Sequence, residues 1–270
     1  MATHREEAMR RTGTAAAVLA LSLAFPSAAH AADRYVSRPI TLPQLDFAFN
    51  AGMGIGHSET GGPTPANHTG AGLNLEGAVG LTSHLELGLR LGLRGGVEAR
   101  TVGADRYGRL YDTETYGTGG DTLANPEFRI TGALLNAEVV EIALEGRVVL
   151  PFEGGTRFGG AFGAPFLFHL ARFVRLDTGA YIITFFRDPF RPAFSIPARL
   201  WFQVSDRVWL GPISALHHVP ATNDVDIALG FGLGYQITSF LDFKTQFLFP
   251  SVNHTTTSFG FGAGLEIRIE

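Results

Sequence analysis

In segment after segment between Leu45 and Ile269 the chain alternates, residue by residue, between large apolar side chains and small or polar ones. Leu45, Phe47, Phe49, Ala51, Met53 and Ile55 share one parity; Asp46, Ala48, Asn50, Gly52, Gly54 and Gly56 take the other. A period of two sends successive side chains to opposite faces of a β-strand, whereas a helix would return apolar residues at three and four. The pattern recurs over 73–82, 85–94, 127–135, 139–150, 162–171, 174–185, 194–204, 207–214, 225–237, 241–249 and 259–269, so twelve segments are predicted in all. Most run near ten residues, the length a tilted strand needs to cross the hydrocarbon of a membrane.

Charge placement tests the pattern. The segments hold 19 charged residues, ten acids and nine bases, and all take the parity opposite the Leu/Phe/Val/Ile series. Choosing a face for each of the eleven charge-bearing segments uses one charge apiece. The remaining eight would fall on the same side by chance only about once in 256 trials. The face they occupy is otherwise mostly Gly and Ala, as at Gly230/Gly232/Gly234 and Gly260/Gly262/Gly264. A soluble sandwich or lipocalin-like barrel turns its apolar face inward and shows a mixed polar exterior. Small residues with sparse charge pairs suit a confined lumen, which leaves the large apolar residues facing lipid.

The connections alternate in length. Short ones fall near Ser83-His84, 136–138, Arg172-Phe173, Ser205-Asp206 and Thr238-Ser239; long ones are predicted at 57–72, 95–126, 151–161, 187–193, 215–224 and 250–258. Aromatic residues gather toward strand ends at Phe47, Phe162, Phe202, Tyr235, Phe240, Phe249 and Phe259, the positions of interfacial girdles. Over residues 41–270 the chain resembles the broad class of Gram-negative outer-membrane β-barrel proteins. The resemblance implies an all-β fold, a transmembrane antiparallel up-and-down barrel of twelve strands, with short periplasmic turns and longer outer loops. It also implies outer-membrane lipid and the barrel-assembly machinery as partners, with no nucleic acid. Such proteins often end in a strand closing on Phe; the last strand here alternates but ends in Glu270.

Residues 1–31 read as a secretory signal peptide: Arg5, Arg10 and Arg11 precede the apolar run 15–25, and Ala29-His30-Ala31 supplies an A-x-A cleavage site. Residues 32–40 are then expected as a periplasmic N-terminal segment. No later stretch reaches the 18 continuous apolar residues of a spanning helix. With no Cys, disulfides, thiolate metal sites and a Cys nucleophile are excluded. A formal charge of −4 without a basic run argues against nucleic acid.

The charges on the small-residue face are the lumen-lining candidates: Glu76, Glu86, Arg90, Arg94, Arg129, Glu141, Glu145, Arg147, Arg175, Asp177, Arg199, Asp242, Lys244, Glu266 and Arg268. Unpaired charge in a narrow lumen is costly, so these are expected to interlock, filling the barrel and setting an electrostatic filter. Trp201 and Trp209 take inward parity beside one turn and are expected to plug the periplasmic end. Gly52, Gly54 and Gly56 do not match a nucleotide-binding loop and are read as lining one seam of the wall. Ser83-His84 and His57-Ser58 come nearest to a nucleophile and base, but consecutive strand residues point to opposite faces. His57, His68, His217, His218 and His254 are placed in outer loops, a weak metal-binding pattern, and no cofactor is expected.

Twelve strands stand between the eight of filled barrels and the 16–18 of aqueous porins. A narrow porin-like channel for ions or small solutes is therefore expected. The alternatives are a non-conducting scaffold that binds through its loops and an outer-membrane lipid hydrolase. The longest connection, 95–126, carries Tyr107, Tyr111, Asp112, Glu114 and Tyr116, and structureless loops of that length are uncommon unless functional or disordered. It is the candidate constriction or binding loop.

Overall fold

The protein is described from a computed structural model, over residues 34–60, 66–95, 103–104, 110–111, 123–152, 158–186, 192–253 and 258–270. Twelve antiparallel strands close into a single barrel: β1 (Phe47–Thr60), β2 (Ala66–Thr82), β3 (Leu85–Gly95), β6 (Leu123–Asn136), β7 (Val140–Val149), β8 (Gly159–Ala171), β9 (Val174–Phe185), β10 (Ala193–Gln203), β11 (Val208–Val219), β12 (Asp224–Gln236), β13 (Leu241–Phe249) and β14 (Phe259–Ile269). Between β3 and β6, the two-residue strands β4 (Gly103–Ala104) and β5 (Leu110–Tyr111) pair with each other. Each barrel strand pairs with its neighbours in sequence, and β1 closes on β14 from Phe47↔Ile269 to His57↔Phe259. Closure leaves no sheet edge, so every strand has a partner on both sides in a solvent that offers no hydrogen bonds.

Parity sets inside and outside. Phe49, Met53, Ile55, Leu87, Leu89, Leu91, Phe128, Ile130, Phe231, Phe247 and Leu265 are exposed on the outer face, while Glu76, Glu86, Arg129, Glu145, Arg199 and Asp242 are buried. Apolar-out and charged-in is the reverse of a soluble protein and fits a barrel whose outer solvent is lipid. No helix among the described residues is long and apolar enough to cross a membrane.

Strand ends depart from the sequence expectation where polar residues continue the ladder. The 57–72 connection contracts, because β1 runs on to Thr60 and β2 begins at Ala66. The 215–224 connection likewise shrinks to a turn at 220–223, where Asn223 takes a left-handed φ of 53°. Backbone pairing needs no apolar face once a hairpin rises past the lipid, so alternation of size ends before the strand does. Arg207 stands exposed in the β10–β11 turn, and Asp46 precedes β1, so neither is a strand residue of the inner face.

Candidate functional site

The inner face holds its charges in buried pairs. Arg90 meets Glu127 at 3.0 Å, Arg147 meets the same carboxylate at 3.2 Å and Glu145 at 2.5 Å, and Thr131 donates to Glu145 at 3.3 Å. Arg129 bridges Glu76 at 2.9 Å and Glu86 at 3.0 Å. Arg175 lies 2.5 Å from Asp177, which also accepts the Trp201 indole N–H at 3.2 Å. Lys244 contacts Glu266 at 2.6 Å. A planar guanidinium matches carboxylates two at a time and is less strongly hydrated than an ammonium, which suits it to burial.

Of the predicted lumen charges, Glu76, Glu86, Arg90, Arg129, Glu141, Glu145, Arg147, Arg175, Asp177, Arg199, Asp242 and Glu266 are buried, while Lys244 and Arg268 are half-buried. Arg94 stands opposite Gly72 in β3, and its side chain lies outside the described residues.

The segment before β1 crosses the lumen at the end of the short turns. Its contacts come from strands all around the barrel. Tyr35 stacks parallel on Trp209 with centroids 4.5 Å apart and meets Trp201 edge-on at 5.6 Å. Room for the two indoles is made on β12: a Cβ at Gly234 would stand 2.0 Å from the Trp209 ring, and one at Gly232 would stand 2.6 Å from Trp201. Arg175 donates to the carbonyls of Tyr35 at 3.1 Å and Arg38 at 2.8 Å. Arg38 reaches Asp242 at 2.5 and 3.3 Å and approaches Glu266 at 4.0 Å.

Inner carboxylates also take the segment's amides. The Ile40 N–H donates to Glu141 at 2.8 Å and the Leu42 N–H to Glu86 at 2.9 Å. The His169 ring lies 3.0 Å from the Val36 carbonyl and 2.8 Å from Glu141. Farther along, the segment passes so close to β2 that a Cβ at Gly80 would stand 1.9 Å from the Pro43 carbonyl oxygen. Burial pushes the Tyr35 phenol well above the ordinary tyrosine range, and the Asp177 carboxylate adds to the shift. Residues 35–42, assigned from sequence mainly to a periplasmic segment, are thus largely buried against the inner wall.

Open space is left on one side. A cavity of about 100 Å³ lies against the β1/β14 seam, lined by Gly52, Gly54, Gly262 and Gly264 with Asn50, Asn74, Lys244, Thr245 and Gln246, and floored by Tyr35, Trp201 and Trp209. A second, of about 70 Å³, lies between the segment and the same seam, with Tyr35, Arg38, Arg175, Glu266 and Arg268 in its wall. The seam glycines face each other directly: Gly52↔Gly264, Gly54↔Gly262, Gly56↔Gly260. Without side chains they leave the lumen open there, while the Arg–Glu ladders fill β3 to β9.

Several sequence expectations are corrected. His57 and His68 belong to β1 and β2, and His217 and His218 to β11 opposite Asp226 and Val225, rather than to loops. His57 bonds the Thr69 hydroxyl at 2.8 Å; His254 lies outside the described residues. Among the described residues no three potential ligands stand together to hold a metal. Ser83 and His84 do hydrogen-bond, at 2.8 Å, because they form the β2–β3 turn, where the strand rule of opposite faces does not apply. Both are exposed, and among the described residues no carboxylate contacts the His84 ring. Of the 95–126 connection, the backbone of Leu110–Tyr111 approaches β10; Tyr107, Asp112, Glu114 and Tyr116, and the Tyr111 side chain, lie outside the described residues.

Sequence reasoning missed Tyr35, Arg38, Ile40 and Leu42, because residues 34–44 show no dyad pattern. It also missed His169 and Gln203, whose inward parity was a usable signal.

No protein-family model matches the chain, and no curated protein matches it in sequence. Solved structures of the same shape do. The KdgM porin aligns over 82% of this chain and 99% of its own with a TM-score of 0.53 at 8% identity. The NanC porin aligns over 81% and 100% with a TM-score of 0.56 at 6% identity. An outer-membrane channel from Pseudomonas putida F1 aligns over 86% and 99% with a TM-score of 0.54 at 13% identity. At these identities the likeness is one of fold. The chain thus has the fold of a closed twelve-stranded antiparallel β-barrel, apolar outside and charged inside, and in that fold it is similar to these outer-membrane porins and channel.

Proposed function

We propose that the protein is a narrow passive channel for ions or small solutes, narrowed at its periplasmic mouth by its own residues 34–46. The observation that carries the reading is the asymmetric lumen: ion-pair ladders fill one side, and an open cavity follows the glycine seam on the other. That three barrels of the same shape are named porins or channels supports it. The paired charges of the ladders then act as wall and filter. The exported chain loses residues 1–31 by cleavage after Ala31, inserts through the assembly machinery and is solvated by outer-membrane lipid. The 95–126 connection serves as a constriction or binding loop; the approach of the Leu110–Tyr111 backbone to β10 supports this. Planar-bilayer recording of the refolded chain tests the proposal: discrete conductance steps are expected.

A non-conducting barrel serving as a scaffold for its loops is the second reading, favoured by the buried contacts of the N-terminal segment. Silence of both the whole chain and a variant lacking residues 34–46, with the barrel folded, would establish it. A lipid hydrolase finds less support, since Ser83 and His84 are exposed in a turn and among the described residues no carboxylate orients the His84 ring; an esterase assay tests it.

A further inference from the structure

The chain contains a single lysine, Lys244, among 21 basic residues. Its position is as singular as its number. The arginines of the inner face are nearly closed off from solvent in their ladders: the side chains of Arg129 and Arg147 are 4% exposed and that of Arg175 is 2%. The Lys244 side chain keeps 23% exposure and lines the larger cavity, where Asn50, Asn74, Thr245 and Gln246 are neutral. An ammonium is a compact, strongly hydrated point charge on a flexible stem, fit for transient contacts in water rather than for fixed bidentate pairing.

The surrounding charges are closely shared. Asp242 and Glu266 serve three cations: Arg38 at 2.5 Å and Arg268 at 3.6 Å from Asp242, and Lys244 at 2.6 Å from Glu266, with Arg268 and Arg38 at 3.8 and 4.0 Å from Glu266. Of these five groups only Lys244 lines the larger cavity, and among the described residues of that lining it is the only charged one. Glu76 and Glu86, around Arg129, are sealed at 4% and 0% exposure. Lys244 also lies 5.6 Å from the Tyr35 ring, which lines both cavities. The lower cavity sets Asp46, Glu266 and Glu270 against Arg38, Arg175 and Arg268, three of each sign.

We propose that Lys244 is the specificity-determining residue of the passage. It draws small anions, and small solutes bearing one carboxylate or similar anionic group, along the glycine seam. The anion shares the ammonium with Glu266 and hydrogen-bonds to the amides of Asn50, Asn74 and Gln246 as it passes. A low-dielectric passage amplifies a single wall charge, and an anion bound by one mobile ammonium can leave again, which conduction requires. Selectivity therefore rests on this residue rather than on the more numerous arginines. The inference rests on the channel reading, and its test separates the two.

The test is the reversal potential of the refolded barrel in a potassium chloride gradient, for wild type, Lys244→Gln and Lys244→Arg. Wild type and Lys244→Arg are expected to prefer chloride, and Lys244→Gln to bring the chloride-to-potassium permeability ratio toward unity. Succinic anhydride applied to the folded wild-type barrel reads the same charge without relying on a variant's folding. It replaces the one lysine ammonium by a carboxylate and is expected to carry the ratio below unity, while Lys244→Arg, which shares only the terminal amine, stays unshifted. Channels that conduct with a ratio unmoved by both Lys244→Gln and succinylation would overturn the role of Lys244 and leave the channel reading standing. A folded barrel with no conductance at any voltage, with or without residues 34–46, would overturn the channel reading and this inference with it.

Discussion

Replacing Arg38 with Met removes the one cation that the N-terminal segment places on the inner wall of β13 and β14. In the structure its guanidinium is 11% exposed and contacts Asp242 at 2.5 Å and Glu266 at 4.0 Å. Deleting one partner of a buried ion pair costs about 3–5 kcal/mol, because the other charge stays behind in a poor dielectric. Here Arg268 stands 3.6 Å from Asp242 and Lys244 2.6 Å from Glu266, so neither carboxylate is abandoned and the lower end, about 3 kcal/mol, applies. Once undocked, the segment is solvated with either side chain, so the loss falls on the docked state alone. At about 1.4 kcal/mol per decade, the ratio of docked to undocked segment drops roughly a hundredfold. Two assays read this on the refolded barrel: single-channel conductance, expected to rise, and cleavage of residues 34–46 by proteinase K, expected to accelerate. Arg38→Lys, which keeps a charge but not the fork, is expected to fall between. Conductance and protection both unchanged in Arg38→Met would refute the reasoning, since the segment would then be held without this pair.

Leu89→Arg sets a charge on the outer face about 10 Å above the short-turn end, taking four residues of β3 at 3.3 Å each and a strand tilt near 40°. That depth is near the middle of an apolar band about 25 Å tall and should cost about 2–4 kcal/mol in urea-unfolding experiments in lipid, against a milder effect for inward Gly92→Ser; the reverse order would mean that inside and outside are exchanged. Gly234→Val drives a side chain into the Trp209 ring, already stacked on Tyr35, and overpacking of about 1–3 kcal/mol should lower the temperature at which the barrel loses its heat-modifiable gel mobility. An unchanged transition would show that the indole can move aside. Deleting residues 107–116 is expected to enlarge conductance with the barrel intact if the 95–126 connection constricts the outer mouth; unchanged conductance would leave it a surface loop.

The barrel was written in the sequence because membrane strands obey a local rule. Each residue's face follows from its parity, and lipid on one side with a cramped lumen on the other sorts Leu89 from Arg90 without reference to any distant residue. Twelve dyad segments, their order and the inward course of the charges are local facts of this kind, as is the seam of glycines where the first and last strands meet. What parity leaves open is which inward groups touch. The sharing of Glu127 between Arg90 and Arg147, or of Glu266 among Arg38, Lys244 and Arg268, depends on strand register and closure, which are settled between strands rather than along them. The limits of the hairpins were misjudged for the same reason, since hydrogen-bonded ladders outlast the lipid-facing pattern at Thr60, Ala66 and Val219. Residues 34–46 were least legible. Their backbone forms no barrel strand, and their place is fixed by partners from many strands, from Glu86 through Arg175 and Trp209 to Asp242. Only a closed barrel brings such residues, up to some two hundred positions apart in the chain, around one short segment. The tertiary structure therefore decides where the passage is filled and where it stays open.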